Sequence, residues 1–232
     1  MFTTLFTHAA CLDHDTGLGH PECADRLRSV LAALETEEFY MLERQEAPLA
    51  TIEQLSRAHP REHVERVLAL VPEQEHAGID ADTVISPGSG EAALRAAGAV
   101  VAAVDAVASG HSRNAFCAVR PPGHHAEHEK AMGFCLFNNA AVGAYHARAA
   151  HGLQRVAVMD FDVHHGNGTQ DIFQRDPDLL YCSTHQSPLY PGTGDAGEKG
   201  EYGNCVNAPL AAMSGSPEFR HAMTHIILPA ID

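Results

Sequence analysis

The chain has 232 residues, of which 45% are hydrophobic and 19% charged, so the composition predicts one ordinary globular domain and excludes a disordered protein. A formal net charge of −15 argues against nucleic-acid binding and favours encounter with cationic substrates. No apolar run approaches the roughly 20 residues that span a bilayer, and six scattered cysteines without a Cys-x-x-Cys pair argue against a disulfide framework and favour a reducing cytoplasm.

The N-terminal half alternates strand and helix patterns. The start, MFTTLFTHAACLDHD, predicts a first strand, because it lacks the positive region and the long apolar stretch of a signal peptide. Helical spacing of apolar residues, a Pro at one helix start and a Gly at one helix end indicate three helices. The predicted helices cover residues 20–34, 60–71 and 91–110, and a short strand follows over 115–119.

The C-terminal half continues the alternation. It predicts a helix over 138–152, a strand over 155–161, a helix over 169–174, a strand over 179–184, a long glycine-rich loop over 188–204 and a last helix with Ser216 as N-cap and Pro217 at its first position. This order implies an α/β fold, with a parallel sheet covered by helices on both faces. The chain stops at Asp232 without a capping glycine or a return strand, so a single domain over 1–232 that lacks its C-terminal part is expected.

Acidic and imidazole side chains follow the strand at 155–161. Because alternate residues of a strand share a face, Asp160, Asp162 and His164 are expected to project together from its carboxyl end, where open α/β sheets place ligands. An Asp-x-His pair offers one oxygen and one nitrogen ligand, which suits Zn²⁺. A capping Asp162 and a hydrogen-bonded His164 are the alternative, since so short a motif recurs by chance.

A second histidine pair follows the strand at 115–119. His124 and His125 come after Pro121 and Pro122, which hold the strand end rigid and position general acid–base groups beside a metal. Two strand ends that each carry a histidine pair and each open a helix are hard to obtain by accident. Together they favour a metal-assisted catalytic site.

These stretches resemble the histone deacetylase superfamily, and GFCLFNN and HHGNGTQ are similar to its class II branch, to which most bacterial members belong. The resemblance runs in order through HPECADRL (20–27), RPPGHHA (120–126), GFCLFNNAA (133–141), DFDVHHGNGTQDIF (160–173) and YPGTGDAGEKG (190–200). It implies an arginase/deacetylase-like three-layer α/β fold and a hydrolase that removes acetyl groups from lysine side chains or polyamines, with one zinc ion per chain.

The resemblance also implies a role for each matching residue. Asp162 and His164 match two of three zinc ligands, and His124 and His125 match the tandem catalytic histidines, with His125 as general base and acid. Asp160 orients His124, and Asn167 replaces an aspartate of class I enzymes, so His125 should be less biased towards its charged form. Asp160, Asp162, His164, Ser183 and Thr184 match a structural potassium site, and Gly133, Phe134 and Tyr190 match the walls of the acyl-lysine channel.

Two elements of the family pattern have no counterpart in the sequence. The third zinc ligand, an aspartate at a later strand end, and the oxyanion-stabilising tyrosine of a Gly-Gly-Tyr loop are both absent from it. The chain is therefore predicted to be poorly active by itself, either as a fragment of a longer enzyme or as an inactive module that binds acyl-lysine without turnover. Removing an oxyanion donor typically costs about 10²- to 10³-fold in rate.

An arginase-type ureohydrolase is the competing enzyme class. Such enzymes bind two manganese ions through an Asp-x-His-x-Asp run, and Gly166 stands here where the second aspartate is needed.

The expected partners are an acetylated lysine peptide or an acetylpolyamine, with neither nucleic acid nor membrane, and a homo-oligomer is left open. His14 and His20 border the expected rim of the site. Seven other histidines are predicted to have no partner at ligand spacing and are interpreted mostly as satisfied surface or core residues: His8, His59, His63, His146, His151, His221 and His225.

Overall fold

The computed structural model describes residues 2–232, so Met1 of the predicted first strand lies outside the described residues. Parallel strands form two three-stranded sheets, with orders β2-β1-β5 and β6-β7-β8, and a short antiparallel pair joins β3 to β4. The strands are β1 (Thr3–Thr7), β2 (Glu43–Glu46), β3 (Ala77–Gly78), β4 (Val84–Ile85), β5 (Asn114–Cys117), β6 (Val156–Asp160), β7 (Leu179–Gln186) and β8 (Cys205–Leu210).

Helices connect these strands, and all of them except the short α2, which was not predicted, lie close to predicted positions. They are α1 (Ala24–Leu34), α2 (Ile52–Leu55), α3 (Arg61–Ala69), α4 (Ser89–Ala108), α5 (Asn139–His151), α6 (Asn167–Phe173), α7 (Ser216–Ala222) and α8 (Leu228–Ile231). The predicted cap of the last helix was wrong by one residue. Gly215 is the N-cap, and its N–H donates to Glu218 Oε2 at 2.8 Å.

A π-helical segment, Met223–Ile227, joins α7 to α8. Pro229 follows it and has no N–H to donate, and its ring crowds the carbonyl four residues earlier. A wider helical turn accommodates such a proline. The helix therefore accommodates Pro229 by a local change of helix type.

Helices cover both faces of each parallel sheet, which confirms the predicted fold class. Leu179 and Tyr181 of β7 join the large core formed with α4, α5 and α6, while Cys182 packs with Ala222 and Ile227 on the opposite face. This alternation is the period of two that a strand imposes. The side chains of β6 are only partly buried, although its sequence is apolar. Within residues 2–232, β6 is the edge strand of its sheet.

Candidate active site

The carboxyl ends of β5 and β6 bring most of the predicted site residues to one cavity. The loop after β5 carries His124 and His125, and the turn after β6 carries Asp162 and His164. These four side chains line a cavity of about 520 Å³ together with Gly133, Phe134 and Tyr190. Residues that are far apart in the chain thus meet, as the convergence of parallel strand ends predicts.

His124 is hydrogen-bonded to a carboxylate. Its Nδ1 lies 2.9 Å from Asp160 Oδ2, which also accepts from the Tyr181 hydroxyl at 3.2 Å. Burial lowers the pKa of His124, but the hydrogen bond and the negative charge of Asp160 outweigh burial, so the pKa is raised. Burial likewise raises the pKa of Asp160, yet the bond to His124 brings it below its usual value.

His125 is hydrogen-bonded to a neutral amide instead. Its Nδ1 lies 2.8 Å from Asn167 Oδ1, at the start of α6. Burial and the neighbouring His124 lower the pKa of His125 to about 4, and the bond to Asn167 only partly opposes them. At neutral pH this imidazole is therefore uncharged and available as a base.

Two glycines permit the close packing of this region. A Cβ at Gly166 would collide with the Asp160 carboxylate and lie 2.6 Å from the Tyr181 hydroxyl, whereas the Gly166 N–H donates to that hydroxyl at 3.0 Å. Gly133 has a φ of +57°, and a Cβ there would lie 2.7 Å from the His125 ring. Only glycine fits at both positions, because a side chain at 166 would displace the Asp160 carboxylate and a side chain at 133 would displace the His125 ring.

Asp162 and His164 lie side by side just after the carboxyl end of β6. Asp162 Oδ1 is 3.2 Å from His164 Nδ1 and 2.8 Å from the backbone nitrogen of His164. Both side chains are partly open to the cavity, with 47% and 38% of their surface exposed. The capping turn weighed in the sequence analysis is thus present, and it leaves the second oxygen of Asp162 without a hydrogen bond within residues 2–232.

Aromatic side chains form the walls of the cavity. The Tyr190 ring stands edge-on to His125 with centroids 5.1 Å apart, and Phe134 is in edge contact with His20 at 4.8 Å. Burial, followed by the negative charge of Asp82, raises the pKa of Tyr190 to about 12, so the phenol stays neutral. An apolar, uncharged wall of this kind fits a methylene chain.

Ser183 and Thr184 lie beside Asp160 but not in the cavity. Both are buried on β7, where Ser183 pairs in register with Asp160. Ser183 Oγ lies 2.9 Å from His185 Nδ1, and the Thr184 hydroxyl has no hydrogen-bond partner within the part of the chain that is described. The position is rich in oxygen, and its predicted role as a potassium site stays a prediction.

Several cavity residues were missed by sequence reasoning. Glu22, Arg26 and Asp82 also line the cavity. Glu22 and Arg26 stand within the HPECADRL stretch that carried the resemblance, so a signal for them was present, whereas no motif marked Asp82. The expectation that His14 borders the rim was wrong, because His14 is buried and bonded to Ser89.

A second group of side chains that could bind a metal lies in the C-terminal halves of two helices. Asp105 of α4 contacts His146 and His151 of α5 there. The prediction that these two histidines have no partner at ligand spacing was therefore wrong, whereas their interpretation as satisfied residues is confirmed. Both Nε2 atoms lie 2.7 Å from Asp105 Oδ1, a hydrogen-bond distance. Arg57, which only donates, occupies Nδ1 of His146, so Nε2 carries the proton that bonds to Asp105. The group is satisfied as it stands, without an ion.

Comparison with known proteins agrees with this geometry. A family model described as "Histone deacetylase domain" matches residues 20–232. The chain is 42% identical over 219 residues to "Histone deacetylase-like amidohydrolase" of Pseudomonas aeruginosa, covering 92% of this chain and 57% of that protein. It is 39% identical to a "Probable deacetylase" of Archaeoglobus fulgidus, covering 100% of this chain and 66% of the relative.

A solved structure shows the same fold. The "HD domain" of HDA15 superposes with a TM-score of 0.92 at 37% sequence identity, over 98% of this chain and 67% of that chain. The chain thus spans little more than half to two thirds of the length of these relatives. The match of the family model over nearly all of the sequence, the identities and the fold lead to one assignment: the chain belongs to the histone deacetylase family.

Proposed function

We propose that this chain carries the catalytic centre of a zinc-dependent deacetylase, which hydrolyses the acetyl amide of acetyl-lysine side chains or acetylpolyamines. The observation that carries the proposal is the meeting of His124, His125, Asp162 and His164 in one cavity with aromatic walls. The family assignment favours this activity over the ureohydrolase alternative.

The geometry of Asp162 and His164 fits a zinc ion. Ligand bonds of about 2.0 to 2.2 Å in a tetrahedron place two ligand atoms about 3.3 Å apart, and Asp162 Oδ1 and His164 Nδ1 are 3.2 Å apart. By contrast, the oxygen–nitrogen distances of 2.7 Å around Asp105 are too short for a shared ion. One carboxylate and one imidazole are also a donor set that zinc accepts.

Zinc would supply Lewis acidity, which polarises the amide carbonyl and makes water a stronger nucleophile near neutral pH. The remaining steps fall to the chain. His125, neutral because its pKa is about 4, takes a proton from the attacking water and returns it to the departing amine. His124, whose raised pKa favours its charged form, stabilises negative charge that develops on the former carbonyl oxygen.

Substrate selection follows from the cavity walls and the charge of the chain. Phe134 and Tyr190 exclude water from the methylene stem, while Asp82 at the same cavity attracts a cationic substrate and can accept a hydrogen bond from a substrate N–H. The net charge of −15 acts in the same direction.

Within the described residues no helix is long and apolar enough to cross a membrane. We place the protein in the cytoplasm, where its six free cysteines stay reduced.

Zinc and substrate tests address the proposal directly. Residues 1–232 offer two candidate ligands at the cavity, whereas catalytic zinc usually has three, so we expect weak zinc binding and slow turnover. Isothermal titration should find one zinc site, which Asp162→Asn and His164→Ala each abolish and Asp105→Asn leaves intact. Release of acetate from an acetyl-lysine peptide and from an acetylpolyamine should depend on zinc and on His125. Zinc binding that survives both cavity variants would contradict the proposal.

A further inference from the structure

A third side chain lies behind His125 and Asn167. Asn167 Oδ1 is 2.8 Å from His125 Nδ1, and Asn167 Nδ2 donates to Glu127 Oε1 at 2.8 Å. The same Nδ2 lies 3.6 Å from the sulfur of Met132. Glu127 and Met132 belong to the loop that carries His125, so this loop contacts both ends of one amide.

The two neighbours of Nδ2 determine which way the amide points. An asparagine amide can rotate by 180°, which exchanges its accepting oxygen and its donating nitrogen. A carboxylate and a thioether only accept, so both require the nitrogen of Asn167 on their side. The oxygen then faces His125, whose Nδ1 must carry a proton. The lone pair of the imidazole is left on Nε2.

Burial makes this arrangement strict. His125 and Asn167 are 5% and 7% exposed, so water does not replace a lost hydrogen bond between them. Glu127 is held by its own turn, since its N–H donates to Lys130 O at 2.9 Å. If the amide rotated, its oxygen would face the Glu127 carboxylate, so two acceptors would oppose each other. Its nitrogen would then face Nδ1 of His125, which could not keep its proton without opposing two donors.

We infer that Glu127 is a positioning residue that fixes the amide of Asn167 and so imposes the Nδ1-protonated tautomer on His125. The consequence for catalysis rests on the proposed function, in which the free Nε2 of His125 accepts the proton of water. His124 needs no such third residue, because either oxygen of Asp160 accepts. The carboxylate at position 127 is required because position 167 is an amide.

The tautomer of His125 can be observed without catalysis. In the ¹⁵N NMR spectrum of the full chain near pH 7.5, His125 should show a protonated Nδ1 and an unprotonated Nε2. Glu127→Lys places a donor opposite Nδ2, so the amide should rotate and the proton should move to Nε2. Turnover should then fall about 10²-fold or more, the scale of a lost general base.

Matched variants separate the contact from charge and folding. Glu129→Lys makes the same charge change on an exposed neighbour in the loop and should leave tautomer and turnover unchanged. Asn167→Asp combined with Glu127→Gln reverses the pair, because the carboxylate introduced at position 167 would accept from both neighbours, and it should keep the proton on Nδ1. Circular dichroism checks that each variant is folded. If Glu127→Lys unfolds, Glu127→Leu combined with Met132→Leu replaces it, because it removes both acceptors near Nδ2 and should give a mixture of both tautomers.

Each result decides the inference. An Nε2-protonated His125 in the unchanged chain would overturn it. A single Nδ1-protonated form in Glu127→Lys, or in Glu127→Leu combined with Met132→Leu, would also overturn it, as would loss of that form in the reversed pair. A tautomer that responds as expected while zinc-dependent turnover does not would instead contradict the proposed role of His125.

Discussion

His124 and His125 are adjacent in the chain, and their ring centroids are only 4.0 Å apart, yet their pKa values move in opposite directions. Both rings are largely removed from water, which disfavours the charged form of each. Asp160 reverses that effect for His124, whereas the amide of Asn167 cannot do so for His125. The difference shows that burial alone does not set the direction of the shift, because the partner behind each ring decides whether its pKa is raised or lowered.

Acidification should give the largest effect, because four other buried histidines behave like His125. Burial lowers their pKa to about 4, so between pH 6.5 and 4 the unfolded chain binds protons that the folded chain does not. The free energy of unfolding therefore decreases as the pH is lowered. These histidines are His14, His59, His63 and His165. His124 has the opposite sign: its stabilisation is present below its unfolded pKa and is lost as pH rises through its raised folded pKa.

At about 1.4 kcal/mol per pKa unit and group, the loss should reach several kcal/mol. Urea unfolding monitored by circular dichroism at pH 7.5, 6 and 4.5 measures it. A free energy of unfolding that stays constant or rises as the pH is lowered from 7.5 to 4.5 would show that these histidines are not neutral in the folded protein.

Replacement of His125 comes next in size. His125→Ala removes the group proposed to carry the proton, so kcat should fall by about 10²- to 10⁴-fold, while KM for an acetyl-lysine peptide changes little. His221→Ala, on the exposed α7, is the matched control and should keep the original kcat. Equal kcat in the two variants would remove His125 from the mechanism.

Asp160→Asn makes the partner of His124 resemble that of His125. Without the negative charge, burial should dominate and the pKa of His124 should drop below its ordinary value, as it does for His125. Loss of a residue that orients a catalytic group typically costs about 10- to 100-fold in activity. An NMR titration of His124 and the kcat of the variant test both points. An unchanged pKa would mean that Asp160 does not control His124.

Asp105→Asn should have the smallest effect. Asp105 is half exposed and bridges the buried His146 and the partly exposed His151, and ion pairs of an exposed carboxylate contribute about 0 to 1 kcal/mol. We expect a small decrease in the free energy of unfolding and unchanged turnover and zinc stoichiometry. A lost zinc equivalent in this variant would show that the surface group, and not the cavity, holds the metal.

Elements with a strong apolar period were predictable, and those without one were not. The helices at 24–34, 61–69 and 89–108 follow their periodic patterns. The polar strand β2 and the strand β8, which contains Pro209, gave no such signal. A proline is tolerated in β8 because within residues 2–232 it is an edge strand, where a missing N–H costs no ladder bond.

The order of amino acids was sufficient to place His124, His125, Asp162 and His164 directly after two strands, because strand positions and side-chain alternation follow from local pattern. It was not sufficient to pair Asn167 with Glu127 or Asp105 with His146 and His151. Those contacts join residues about 40 positions apart, through the packing of a loop on α6 and of α4 on α5. Only the assembled core determines which side chains meet across such distances, since no short-range periodicity encodes them.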